Sequence, residues 1–197
     1  MGIVANCLAV RASEGDAFLE QVGAGRAGRT GDWSEAIYAG KAFASGWYVL
    51  VIQGRRFDPD YDLAPLAAGR EILHLYVDDV VMHCSAALLD DGEVVWRVTS
   101  DADEGYSEEG RPPEGLAPIL ADLRRQQDEQ DPDGPRVDYV FDAPIEAAGL
   151  VTGFRGLADT FDPALGAGFE LLEPPVQPAR PGLLASLAQL FGFGRKA

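Results

Sequence analysis

The chain has 197 residues, 47% of them hydrophobic and 24% charged, with a formal net charge of −16. This length predicts one domain that can bury a core without metal ions or disulfides. The acidic excess argues against nucleic acid or an anionic membrane as partner, and no apolar run of about 18 residues predicts a membrane span. Residues 1–10 lack the basic start and cleavage site of a signal peptide, so we expect a cytoplasmic protein.

The first quarter of the chain predicts strands separated by one helix and a loop. A strand is expected over 3–10, and a helix from Ser13 to about Val22, because Ser13 can cap its first turn. The Gly- and Arg-rich segment 23–31 is expected to be a surface loop. Strands over 36–44 and 47–53 follow. The second is apolar without interruption from Trp47 to Ile52, which predicts a central strand covered on both faces.

The loop 23–31 contains the pattern G-x-G-x-x-G from Gly23 to Gly28. A dinucleotide site needs a strand directly before this pattern and a helix that opens within it. Here the preceding segment reads as a helix, and no parallel βαβ unit follows. No cofactor is therefore predicted.

A short helix is expected over 63–68, and the segment 72–99 predicts a three-stranded antiparallel meander. A two-residue turn at Asp78-Asp79 would place His74 opposite His83. A three-residue turn at 90–92, with Gly92 in the left-handed conformation, keeps the third strand in phase with the other two. The apolar stripe is then formed by Leu73, Leu75, Val77, Val80, Met82, Cys84, Ala86, Leu88, Val94, Trp96 and Val98.

The remaining chain predicts an acidic loop over 101–113, a helix over 116–127, a strand over 136–142 and a helix over 144–151. A last short strand is expected over 169–172. Strands with local helices and no regular βαβ alternation indicate an α+β fold with a mainly antiparallel twisted sheet and a few short helices. The expected organisation is a domain over 1–173, a Pro-rich spacer over 174–181 and an apolar C-terminal helix with its tail over 182–197.

The two histidines define the best candidate for an active site. The meander register places them side by side on the face opposite the apolar stripe, with Tyr76, Ser85 and Arg97 close by. Such a pair could act as acid and base in a hydrolase, or hold a metal ion with a third ligand from elsewhere. A polar but inert sheet face is the alternative. The catalytic candidates are His74, His83, Tyr76 and Arg97.

The charge of the chain suggests a second kind of site. Residues 58–142 contain 22 acidic and 6 basic residues, so the whole excess lies in the middle of the chain. Such a segment attracts a basic protein, although acidity can also serve only solubility. No acidic cluster has the spacing of an EF-hand loop, so no metal site is predicted. The candidate partner-binding carboxylates are Asp101, Asp103, Glu104, Glu108 and Glu109.

The C-terminal helix carries an apolar stripe with a weak polar face, and such a stripe must be covered. It can dock on its own domain, join two copies into a homo-oligomer, or bind another protein. The stripe contains Leu183, Leu187, Leu190 and Phe191. The two cysteines, Cys7 and Cys84, lie in apolar runs and are expected to be buried free thiols.

Between Val80 and Gly156 the order of motifs resembles a family of small bacterial proteins with no assigned activity. Met82 to Ser85 forms a Met-x-x-Ser element, and Val94 to Val98 a Val-x-Trp-x-Val strand. A Gly-x-Pro-Pro loop (110–113), a Val-Asp-Tyr-x-Phe-Asp-x-Pro segment (137–144) and Gly-Phe-Arg (153–155) follow. The resemblance covers about 40% of the chain and implies no catalytic residues.

Three functional hypotheses follow from the sequence. The first is a non-enzymatic acidic module that binds a basic partner, as an immunity or inhibitor protein does. The second is a hydrolase-type or metal-dependent enzyme with its site near His74 and His83. The third is a structural protein that self-associates through the C-terminal helix.

Overall fold

The computed structural model describes residues 3–130, 137–155 and 168–175. The strands of this part of the chain are β1 (Val4–Arg11), β2 (Gly25–Gly31), β3 (Tyr38–Ala42), β4 (Trp47–Gln53), β5 (Glu71–Asp78), β6 (His83–Asp90), β7 (Glu93–Asp101), β8 (Gly105–Gly110) and β9 (Phe169–Glu173). Its α-helices are α1 (Gly15–Val22), α2 (Ala64–Ala67), α3 (Leu116–Asp128) and α4 (Ala143–Thr152).

The nine strands form one sheet in the order β2-β9-β3-β4-β1-β5-β6-β7-β8, and every neighbouring pair is antiparallel. The prediction of an α+β fold with a mainly antiparallel sheet is confirmed. The strand β4 lies inside the sheet and is buried from Trp47 to Ile52, as its unbroken apolar run predicts.

Both faces of the sheet are covered. On the first, which we call the α3–α4 face, α4 packs on β5, β6 and β7, and α3 packs against α4. Leu75, Trp96 and Ile145 are buried on this face. On the second, the α1 face, Phe18 of α1 packs on Leu50 of β4 and its neighbours. The inner strands therefore contribute alternate side chains to two separate cores.

The turn between β5 and β6 differs from the prediction. Asp78 pairs with His83, so the turn consists of residues 79–82, and His74 faces Ala87 rather than His83. The Asp78 carboxylate accepts the N–H groups of Val80 and Val81 (3.2 and 3.4 Å) and organises this longer turn. The register has moved by four residues, an even number, so each strand keeps its buried face. Val80 leaves the apolar stripe and is 64% exposed.

The turn between β6 and β7 has two residues rather than three. Asp91 and Gly92 have φ angles of 48° and 85°, as the common two-residue hairpin turn requires. A bulge then pairs Leu88 with Trp96 and Leu89 with Val94. One extra residue is needed to keep the apolar side chains of β7 on the buried face, as predicted, but this residue is Val95 in the strand and not a third turn residue. Val94 packs on the α1 face as a result.

Three local predictions are wrong. The expected loop 23–31 contains the edge strand β2, which is ordered by pairing with the distant β9. The expected acidic loop 101–113 contains β8, the other edge strand. The expected strand 136–142 contains one turn of 3-10 helix at Tyr139–Asp142, where the Asp138 carboxylate accepts the N–H of Phe141 at 3.3 Å.

The predicted last strand is present as β9, which lies between β2 and β3. The Pro-rich spacer from residue 176 and the C-terminal helix, with Leu183, Leu187, Leu190 and Phe191, lie outside the described residues. None of the helices in the described part of the chain is long and apolar enough to cross a bilayer.

Candidate functional site

Polar side chains form three rows across β5, β6 and β7 on the α1 face of the sheet. Cross-strand pairing sets each row, and alternation along the strands puts the rows on the same face. The rows are Asp78–His83–Asp101, Tyr76–Ser85–Thr99 and His74–Ala87–Arg97. All four catalytic candidates from the sequence therefore share this face, although the predicted contact between His74 and His83 is absent from the strand pairing.

His83 is held by a carboxylate. Its Nδ1 lies 2.8 Å from Oδ2 of Asp101, the residue directly opposite on β7. This hydrogen bond is the largest cause that lowers the pKa of Asp101, followed by the backbone N–H groups of Asp103 and Glu104. Because Asp101 is held ionised, we assign the proton to Nδ1 of His83. Its Nε2 is buried and has no hydrogen-bond partner among the described residues.

His74 has a structural role. Its Nε2 lies 3.0 Å from the carbonyl oxygen of Phe57 and 3.3 Å from Oδ1 of Asn6, so Nε2 carries a proton and donates to both. Burial and, to a smaller extent, the nearby Arg97 lower the pKa of His74, while the Phe57 hydrogen bond and Asp58 oppose them, and the result is a pKa of about 4. The imidazole is therefore neutral near pH 7. It ties the segment that follows β4 to the sheet.

Tyr76 forms its hydrogen bond with Asp78. Its hydroxyl donates to Oδ2 of Asp78 at 3.1 Å, and Nη2 of Arg55 lies 2.6 Å from the same oxygen. Burial first, and then the carboxylate, raises the pKa of Tyr76 to about 12. This phenol keeps its proton near neutral pH. Asp78, only 1% exposed, organises the β5–β6 turn and is charge-compensated by Arg55.

Six residues of the rows form the floor of a cleft of about 270 Å³, whereas Tyr76, Asp78 and Asp101 are not part of its lining. The segment between β4 and α2 forms the wall of the cleft. Within this wall the rings of Phe57 and Tyr61 make an edge-to-face contact, with their centroids 4.7 Å apart. The cleft is lined by Pro59, Tyr61, Leu63, His74, His83, Ser85, Ala87, Leu89, Arg97 and Thr99. Sequence patterns alone missed this wall, because it has no periodicity and is placed by the hydrogen bond from His74.

The predicted partner-binding carboxylates lie on the hairpin of β7 and β8. Asp101 ends β7, Asp103 and Glu104 form the turn, and the other two belong to the exposed edge strand β8. Glu109 faces Arg97 on the α1 face at 3.5 Å, whereas Glu108 accepts the hydroxyl of Tyr106 on the other face. The hairpin is acidic, but its charges are divided between two faces of the sheet.

A second acidic site, which sequence reasoning missed, is a groove of about 360 Å³ beside α3 and α4. Four carboxylates and one guanidinium surround its apolar side chains. The groove is lined by Ile119, Asp122, Leu123, Gln126, Val137, Asp138, Tyr139, Asp142, Glu146 and Arg155. A spacing of four residues between Asp138, Asp142 and Glu146 is the signal in the sequence, since residues four apart lie on one side of a helix. In the structure Asp138 precedes the 3-10 turn, Asp142 ends it, and Glu146 belongs to α4.

Two further sequence predictions concern sulfur and metal ligands. Cys7 and Cys84 are buried free thiols, as expected, and burial raises the pKa of both well above the usual range, which keeps them unreactive. Within residues 3–130, 137–155 and 168–175, no three His, Cys, Asp or Glu side chains are grouped so that they could hold a metal ion.

Comparisons of the chain with protein-family models, curated proteins and solved structures found no match. The resemblance noted between residues 80 and 156 thus stays a prediction. The cleft, the hairpin and the groove are therefore the candidate sites of function.

Proposed function

We propose that the protein is a non-enzymatic acidic module that binds a basic protein partner, and that the groove beside α3 and α4 is the anchor of this interaction. The observation that carries the proposal is the combination of four carboxylates with an apolar floor in one concave surface. A charged surface without a cavity, or a cavity without charge, would not by itself indicate a binding site for a basic side chain.

The lining of the groove suits a lysine or arginine side chain. Ile119, Leu123 and Val137 offer apolar surface to its aliphatic stem, and Val137 is 43% exposed. Asp138, Asp142 and Glu146 offer carboxylates to its head group. Arg155 lies 3.3 Å from Glu146, and Arg125, which is outside the lining, pairs with Asp122, so four carboxylates face two guanidinium groups. Charged anchors in concave pockets dominate many interfaces.

The β7–β8 hairpin supports the same proposal as a second contact surface. Its strand β8 forms one edge of the sheet and is exposed at every residue except Tyr106. An extended basic segment could pair with this edge by backbone hydrogen bonds and meet Glu108 or Glu109 with its side chains. The hairpin adds long-range attraction, while the groove adds a specific fit.

The proposal is tested with the full-length protein immobilised at low salt and exposed to a lysate of its host. We expect basic proteins to be captured and then released by added salt. The combined variant Asp122→Asn, Asp142→Asn and Glu146→Gln should capture about tenfold less of the same protein. The variant Asp58→Asn, Asp60→Asn and Asp128→Asn changes the net charge equally and should retain capture.

The hairpin has its own variant, in which Asp101, Asp103, Glu104, Glu108 and Glu109 are all neutralised. We expect a smaller loss than in the groove variant, expressed mainly as slower association. Equal capture by the groove variant, the hairpin variant and the wild type would refute binding through carboxylates. Equal losses in the groove variant and its matched control would show a nonspecific effect of net charge.

A further inference from the structure

The cleft on the α1 face has the opposite chemical character to the groove. In a chain with 32 acidic and 16 basic residues, its described lining contains no carboxylate and one guanidinium, that of Arg97. Hydroxyl groups of Tyr61, Ser85 and Thr99 add further donors. Asp101 and Glu109 contact His83 and Arg97 but do not belong to the lining. A concave surface lined by donors and by no carboxylate is suited to an anion, even on an acidic protein.

We propose that this cleft binds a small molecule through an oxyanion group, a carboxylate or a phosphate, with Arg97 as the principal contact and Ser85 and Thr99 as hydrogen-bond donors. Ser85 and Thr99 are cross-strand partners, and Arg97 follows on the same face of β7. The three groups therefore come from two strands that are each paired on both sides, and strand pairing fixes their spacing.

Arg97 is available for such a ligand. Its nearest ion-pair contact is Glu109, at 3.5 Å, and the two side chains are 48% and 62% exposed. That distance is too long for a good hydrogen bond, and the guanidinium has five N–H donors. An oxyanion in the cleft can thus form a bidentate contact with Arg97 without first breaking a tight ion pair.

His83 and its carboxylate partner complete one end of the cleft. Asp101 fixes the ring through Nδ1, which leaves the buried Nε2 as the ring nitrogen without a hydrogen-bond partner among the described residues. His74 stands at the other end and acts only through the wall, which it holds by the Phe57 carbonyl.

The size of the cleft limits the ligand. Its volume of about 270 Å³ lies just below the roughly 300–1,000 Å³ of typical small-molecule pockets. Pro59, Leu63, Ala87 and Leu89 line the rest with apolar surface. The ligand class is therefore a small molecule with one anionic group and a short apolar part.

The test is direct because the full-length protein has only two histidines, so only two imidazole rings contribute signals to its NMR spectrum. Phosphate and acetate are the probes, and sodium chloride at equal ionic strength is the reference. We expect a saturable shift of the His83 signals with at least one probe and none with chloride. The tighter of the two probes identifies the ligand group as tetrahedral or planar. The variant His74→Gln assigns the signals.

Three variants decide whether the cleft is the site. Arg97→Gln should weaken the binding of the probe by at least about tenfold, because it removes a charge-assisted contact. Glu109→Gln should strengthen it several-fold by releasing Arg97. Arg111→Gln, an exposed change outside the cleft with the same loss of charge, should leave it unchanged.

The absence of a saturable shift with both probes would overturn the proposal, as would equal binding by the Arg97→Gln variant. If phosphate and acetate shifted the His83 signals no more than chloride does, the proposal would also be overturned, because the shift would reflect ionic strength alone. These outcomes do not depend on the acidic groove, which is tested by protein capture and not by anion binding.

Discussion

Replacement of Leu50 with alanine is expected to lower the free energy of unfolding by roughly 2–5 kcal/mol. Leu50 lies in the middle of β4, is fully buried, and packs in the α1-face core with Leu8, Phe18 and Ile52. Truncation removes buried apolar surface and leaves a cavity that the rigid sheet cannot close. Urea denaturation followed by tryptophan fluorescence measures the loss.

The control for Leu50 is Val80→Ala in the β5–β6 turn. Val80 is 64% exposed, so its truncation should change the free energy of unfolding by no more than about 0.5 kcal/mol. A loss below about 1 kcal/mol for Leu50→Ala would contradict the central position of β4 in the sheet.

The second large effect is a loss of stability in acid that depends on His74. Its pKa is about 4 in the folded protein and about 6.5 in an unfolded chain. The unfolded state therefore takes up this proton first as the pH falls. The contribution of His74 to stability is complete above about pH 6.5 and is lost as the pH falls towards 4, which amounts to about 3 kcal/mol.

The measurement compares urea unfolding of wild type and His74→Gln at about pH 7.5 and about pH 4. A glutamine amide can still donate to the carbonyl of Phe57 but does not titrate, so wild type should lose about 3 kcal/mol more than the variant over this range. The carboxylates that do not interact with His74 are common to both proteins and cancel in the comparison. Parallel pH profiles for the two proteins would show that His74 is not buried as a neutral group.

The central strands were the most predictable part of the fold. An unbroken apolar run from Trp47 to Ile52 has no stable position except inside a sheet covered on both sides, and β4 lies there. Pro144 at the first turn of a helix and Gly92 at a hairpin turn were read from rules of backbone geometry. These features depend on neighbouring residues, which the sequence displays directly.

The predictions failed where distant chain segments meet. The glycine-rich edge strand β2 is a strand because β9, more than a hundred residues away, supplies its hydrogen bonds. The β5–β6 register shifted by four residues because buried Asp78 caps a longer turn. In the β6–β7 hairpin, the required extra residue was assigned to the turn, whereas the chain accommodates it as a bulge at Val95.

The candidate sites divide in the same way. The sequence indicated that four side chains share one face of the sheet, those of His74, His83, Tyr76 and Arg97. This prediction holds because a register shift by an even number of residues leaves each side chain on the same face. It did not separate their roles. Burial and the Phe57 carbonyl make His74 a structural group, whereas Asp101 holds His83 at the end of the cleft.

By itself the sequence determined the central strands of the sheet, which of their side chains are apolar, and that the negative charge is concentrated between residues 58 and 142. Only the tertiary structure decided how that charge is divided, with four carboxylates around the groove and none lining the described cleft. The physical reason is that local periodicity sets the direction of a side chain, while long-range strand pairing and helix packing set its neighbours.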